Sequence, residues 1–221
     1  KLHSFFFLFS LDLKSSKKTT QETILSWIDS NSKYQSDSWD IDILSKRVIA
    51  WISSSKLTYE DGDEIYKKNF NDIIQKQINH LINEIERSEW VDDKMIGCSA
   101  IILAGLSYKD ETKYLSFGFN LLKKINKFSF DDYGFPKSRN IRQLYFYLKY
   151  YVLIREWLKE SQTEIPEYID SSIYYLGQAY SLVWQKLKQN ILFNGNHDST
   201  NDDFDKYLER LGYKFKNENN E

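Results

Sequence analysis

Residues 63–87 read DEIYKKNFNDIIQKQINHLINEIER. Ile65, Phe70, Ile73, Ile74, Ile78, Leu81, Ile82 and Ile85 recur at three- and four-residue intervals, which lays one apolar stripe along a helix. Asp63 stands where a helix cap belongs, so the spacing predicts a long helix from about Asp63 to Arg87. Upstream, Thr19 to Glu22 has capping-box spacing ahead of Ile24, Leu25 and Ile28. Asp40 or Asp42 can cap a second helix carrying Ile43, Leu44, Val48, Trp51 and Ile52. Downstream, Asp92 and Asp93 precede Met95, Ile96, Ala100, Ile101, Leu103 and Ala104, a helix ending near Gly105. Asp110 opens another, with Tyr114, Leu115, Phe119, Leu122 and Ile125. After a loop from Lys127 to Lys137 come helices from about Asn140 to Lys159 and from Pro166, at a first helical turn, to about Leu187.

Only Pro136 and Pro166 interrupt the chain, so long helices run unbroken. Ile191-Leu192-Phe193 is the one plausible strand, and Asp202 to Leu211 suits a last short helix. Short connections between successive helices favour antiparallel pairs, and a series of pairs curves into a solenoid or closes into a ring. No repeat of fixed period is present. The expected fold is therefore all-α, with an α/α ring or an irregular helical stack fitting better than a regular repeat array.

Hydrophobic residues are 41% and charged residues 28% of the 221, the balance of a folded domain with room for a core. The net charge of −2, with acids and bases mixed, gives no whole-domain argument for binding nucleic acid. The single cysteine, Cys98, excludes an internal disulfide and a thiolate zinc cluster, and His3, His80 and His197 show no ligand spacing. Eight scattered glycines form no phosphate-cradling loop, so no cofactor is expected. No stretch approaches the ~20 apolar residues of a membrane span. The apolar start, Phe5 to Phe9, is shorter than the roughly 7–15 residues of a signal-peptide core. The chain begins at Lys1, and we read both ends as cuts in a larger protein, which leaves the compartment open between periplasm and cytoplasm.

Two polar clusters are candidates for function. In the loop Asp131-Asp132-Tyr133-Gly134-Phe135-Pro136-Lys137-Ser138-Arg139-Asn140, the charges of Lys137 and Arg139 meet the start of a helix, a combination that attracts anions. The competing reading is ordinary helix capping by Ser138 or Asn140. The second cluster, Phe193-Asn194-Gly195-Asn196-His197, reads first as a turn. Sixteen tyrosines and six tryptophans serve mostly as core, and some are candidates to line a groove that stacks sugars.

Taken in order, these segments resemble the helical N-terminal region of the bacterial heparinase II/III-like family, in its alphaproteobacterial form. The resemblance runs through Leu2 to Phe6 with Leu11 and Asp12, then Trp39 and Arg47 to Trp51. It continues through Ala100 to Gly105, Gly134 with Ser138-Arg139-Asn140, Arg155-Glu156, Ile165-Pro166 and Leu192 to Gly195. It implies an all-α, incomplete (α/α) toroid of antiparallel helix pairs over residues 1–190, with a connecting segment at 191–221 toward a C-terminal β-sandwich domain, a partner not contained in this chain. It also implies a polysaccharide lyase that cleaves beside a uronate by β-elimination. That chemistry needs a group to neutralise the uronate carboxylate, a base for the adjacent proton and an acid for the leaving oxygen. On this reading Arg139 and Asn140 hold the carboxylate, with Lys137, Ser138 and Tyr133 nearby and Asn194 or His197 on the rim. Asp92-Asp93, Ile141 and Arg142 stand where family lyases carry Asn-His, tyrosine and histidine. Two further readings stay open: a glycan-binding or assembly domain without catalysis, and a helical scaffold for protein interactions.

Overall fold

The computed structural model describes residues 2–11, 16–108, 112–186 and 202–215. Among the described residues two 3-10 turns, Leu2–Ser4 and Phe6–Ser10, precede ten α-helices. These are α1 (Lys17–Asn31), α2 (Ser36–Trp39), α3 (Ile41–Ser53), α4 (Ser55–Thr58) and α5 (Glu64–Glu84), then α6 (Val91–Ser107), α7 (Thr112–Ser129), α8 (Arg142–Glu160), α9 (Glu167–Tyr180) and α10 (Asp202–Arg210). A 3-10 turn, Ile85–Arg87, extends α5, and a π-helical turn, Ser181–Lys186, extends α9. Among the described residues there is no strand, only an isolated bridge between Phe130 and Pro136. The all-helical class is as the periodicity indicates. The Ile191–Phe193 segment and Asp110 lie outside the described residues. The chain divides into two compact units, Lys1–Leu122 and Lys123–Glu221, with the boundary inside α7.

Caps set the helix starts. Asp63 Oδ1 accepts the Tyr66 N–H at 2.7 Å, and Asp40 rather than Asp42 caps α3. The Thr19–Glu22 capping box is displaced: Ser16 Oγ accepts the Thr19 N–H at 3.2 Å, so α1 begins at Lys17. No side chain caps α6, whose first turn carries Asp92 and Asp93.

In the first unit α6 is the interior helix. Every residue from Met95 to Gly105 is buried, as expected of a helix apolar on all sides. α3 packs along it, and the two N-terminal 3-10 turns pack on α3. Trp51 sits at the centre, with Phe5 at 5.1 Å, Trp27 at 5.5 Å and Phe70 at 5.5 Å between ring centroids.

Beside this aromatic cluster lies Arg47, 0% exposed. Its Nε donates to Gln77 Oε1 at 2.8 Å, and its Nη1 donates to the carbonyls of His3 (2.8 Å) and Ser38 (2.9 Å). Its guanidinium carbon lies 4.1 Å from the Trp27 ring centroid, a cation–π contact. Trp27 Nε1 in turn donates to His3 Nδ1 at 3.0 Å. Nη2 is buried without a hydrogen-bond partner. Burial pushes the Arg47 pKa down to about 9, which still leaves it charged at neutral pH. The guanidinium is thus compensated by neutral acceptors and a π face, in a setting where an isolated charge is costly.

Removing the side chain strands three acceptors on three elements, so Arg47→Ala should lower unfolding free energy by about 3 kcal/mol in chemical denaturation. A loss under about 1 kcal/mol would show that desolvation cancels the hydrogen bonds.

Candidate functional site

In the second unit a polar cleft of about 900 Å³ opens between the last turn of α7, the loop after it and the first turns of α9. The loop is shaped by its own backbone. Asp131 N–H donates to the Phe135 carbonyl (3.0 Å), Gly134 N–H to the Asp131 carbonyl (3.1 Å) and Lys137 N–H to the Ser129 carbonyl (2.9 Å). Asp131 Oδ1 accepts the N–H groups of Tyr133 (3.0 Å) and Phe135 (2.9 Å), so this carboxylate holds the turn. The Phe130 ring anchors the loop on α8, edge-on to Tyr147 at 4.7 Å.

Gly134 lets the loop close against α9. Its φ is +81°, and a Cβ there would lie 2.4 Å from the Tyr175 carbonyl carbon and 2.8 Å from the Leu176 nitrogen. Backbone meets backbone at that point, so neither side can yield by a rotamer change.

The cleft carries both signs of charge. Asp131, Asp132 and Glu167 line it, as do Lys127 and Lys137. Lys137 Nζ donates to the Lys127 carbonyl at 2.9 Å, which places its ammonium at the end of α7. There the helix dipole favours a cation. Two tyrosines of α9, Tyr168 and Tyr175, complete the lining with Ser171 between them. Lys123 Nζ stands 5.4 Å from the Tyr168 ring centroid.

Of the residues given a catalytic or binding role from the sequence only Lys137 lines this cleft, together with Asp131, Asp132 and Gly134 of the same loop. Tyr133 is 76% exposed and outside the lining. Ser138 Oγ donates to Gln143 Oε1 and accepts the Asn140 N–H, and Asn140 Oδ1 accepts the Arg142 N–H at 3.1 Å. Ser138 and Asn140 are thus engaged in the turn before α8, Asn140 on the N–H of its first residue and Ser138 on the Gln143 side chain, while the N-cap position itself, Ile141, carries no side-chain cap. Arg139 is exposed in the left-handed region at φ +58°, with its N–H donated to the Pro136 carbonyl. Asn194 and His197 lie outside the described residues. Tyr168, Tyr175 and Glu167 were not singled out by sequence reasoning. The available signal was the seven-residue spacing of the two tyrosines behind Pro166, which returns them to one helix face.

Two further features belong to the first unit. Cys98 is wholly buried, and burial alone pushes its thiol far up, so it is an inert core residue. The Asp93 carboxyl is held above its usual range by burial first and then by Asp40 and Asp42. Among the described residues no group of His, Cys, Asp and Glu is arranged to hold a metal ion, and no helix is long and apolar enough to cross a membrane.

Fold and site together define an all-helical protein with a polar cleft floored by tyrosines. Comparison with protein-family models, curated proteins and solved structures finds no match.

Gly134→Ala should destabilise the second unit more than Gly212→Ala does. Gly212 has nearly the same φ, +82°, with nothing within 4 Å of its virtual Cβ. The Gly212 change costs only the backbone term, about 1 kcal/mol, and the Gly134 change adds the collision with α9. Equal effects in thermal melts would show that the loop is not pressed on α9.

Proposed function

We propose that this chain is the glycan-holding helical domain of a heparinase II/III-like polysaccharide lyase, with its helix pairs arranged as an incomplete (α/α) toroid. A following β-sandwich domain is part of the same proposal. The observation that supports it best is the Lys137 ammonium at the wall of a concave, hydroxyl-rich cleft that also carries two tyrosine rings. Such a lining suits an acidic sugar: the cation meets the uronate carboxylate, the Asp132 and Glu167 carboxylates accept hydrogen bonds from ring hydroxyls, and the tyrosine rings take the apolar faces of the sugar.

In this reading Lys137 neutralises the uronate charge and so acidifies the proton beside the carboxylate. Arg139, two residues further along the loop and free of side-chain hydrogen bonds among the described residues, extends the positive edge. Ser138 and Asn140 act as positioning residues, because their polar atoms fix the start of α8.

A second reading, glycan binding without cleavage, is favoured by Ile141. This residue stands where family lyases carry a tyrosine, and here it is an apolar side chain only 8% exposed.

The test is an elimination assay on this chain and on the longest protein containing it, following unsaturated-uronate absorbance over a panel of acidic polysaccharides. The lyase reading expects a signal that falls at least tenfold with Lys137→Ala and more weakly with Arg139→Ala. Binding that depends on Lys137 without any absorbance change would replace it with the non-catalytic reading. Absence of both turnover and binding would overturn the two together.

A further inference from the structure

The first 3-10 segments of the chain bury one line of side chains and expose the others. A 3-10 turn returns to the same side every third residue. Phe5 and Leu8, three apart, are the buried line. The Phe5 ring lies edge-on to Trp51 at 5.1 Å and to Trp27 at 6.2 Å. Phe6 and Phe9 form a second line, with ring centroids 5.1 Å apart, and Phe7 stands on the third. Leu2, Phe6, Phe7, Phe9 and Leu11 are each between 38% and 81% exposed. Core packing accounts for Phe5 and Leu8. It does not account for the outer phenylalanines, where polar side chains would cost the fold nothing. The base beneath them is firm: the His3 carbonyl accepts from Arg47, His3 Nδ1 accepts from Trp27, and both turns pack on α3. A fixed, exposed apolar cluster marks a contact surface.

Charge indicates what it contacts. Residues 1–20 carry Lys1, Lys14, Lys17 and Lys18 against Asp12, a formal +3, which leaves −5 for residues 21–221 in a chain of net −2. Lys17 is bridged to Asp61 at 2.6 Å, and Lys18 lies 3.9 Å from Glu22. Both pairs are on the surface, where such bridges are weak and their cations stay open to a stronger anionic partner. A second copy of the chain would set this basic stretch against itself. An anionic lipid surface meets both features, since it takes rings and lysines together and repels the acidic remainder.

We propose that the segment from Leu2 to Leu11 docks the chain on an anionic bilayer. Phe6, Phe7 and Phe9 enter the boundary between headgroups and acyl chains, and the neighbouring lysines meet the lipid phosphates. The chain lies on the surface without crossing it, in keeping with the lack of a membrane-spanning helix among the described residues.

The measurement is co-sedimentation of this chain with vesicles of phosphatidylglycerol and phosphatidylcholine in equal parts, and with vesicles of phosphatidylcholine alone. Affinity for the anionic vesicles should be at least tenfold higher and should fall as salt is raised. The combined changes Phe6→Ser, Phe7→Ser and Phe9→Ser should lower it at least tenfold. Circular dichroism and melting temperature should stay as they are, because these rings lie outside the core. Lys14→Glu with Lys18→Glu should weaken binding in the same direction. A Phe7→Trp variant should shift its emission to the blue on anionic vesicles and be quenched by brominated acyl chains, which places that ring in lipid. Absence of binding, equal binding to both kinds of vesicle, or binding that the triple serine variant retains overturns the proposal. So does self-association that the triple variant abolishes while vesicles bind nothing, since the cluster then joins two copies. No step involves the cleft of the second unit, so each of these results leaves the glycan reading standing.

Discussion

One buried cation organises the first unit. Arg47 has no carboxylate partner among the described residues, so its charge is tolerated only because three acceptors converge on it from different parts of the chain. The His3 carbonyl comes from the first turn, the Ser38 carbonyl from α2 and the Gln77 side chain from α5, and Trp27 of α1 covers the guanidinium face. A planar fork of five donors is suited to this, since it fixes several directions at once. Trp51, the largest fully buried residue, lies one turn along the same helix. The position of α3 against α6 is therefore set jointly by apolar packing and by the directional demands of one guanidinium. Packing alone tolerates many similar arrangements; hydrogen-bond geometry around a dry charge tolerates few.

In the second unit the loop after α7 does two jobs with one set of residues. Its C-terminal half, Ser138 to Asn140, spends its polar atoms on the start of α8. Its N-terminal half, Asp131 to Lys137, forms the wall of a cleft. Gly134 joins these roles by allowing the loop to touch the α9 backbone. Arg155 supports the same unit from the other end of α8: its Nε meets Asp170 of α9 at 2.6 Å, and its ring contact with Tyr213 reaches the C-terminal described segment. That carboxylate contact, ahead of desolvation, raises the Arg155 pKa further above its ordinary value.

Much of the fold was legible because its signals are local. The stripe from Phe70 to Ile85 and the caps at Asp40 and Asp63 need no tertiary knowledge, and the helices fall near where they indicate; Ile65, expected in that stripe, is 75% exposed and Tyr66 is buried in its place. Ser16 displaced the expected start of α1 because a serine three residues before Thr19 competes for the same N–H group, and spacing does not rank the two. The site was less legible. In the loop, sequence spacing supports anion binding and helix capping equally, and only coordinates show that Ser138 and Asn140 are already engaged. The tyrosines of α9 illustrate a second limit. Tyr168, Tyr175 and Tyr180 look alike in sequence, yet Tyr180 is fully buried and Tyr175 is half exposed. Which side of α9 the rest of the chain covers is decided by non-local contacts that a single sequence does not display.

The link from Arg47 to His3 also bears on how the chain is made. Phe5 and Leu8 leave the ribosome before α3, yet both are buried only after α3 has been synthesised. α3 in turn rests on α6, which is not complete until Ser107. For the time needed to add about a hundred residues, at ~5–20 per second, the phenylalanine-rich segment at Phe5–Phe9 has no core to enter. Nascent-chain factors that shield short apolar segments therefore have a defined window on this protein, which closes when α6 emerges.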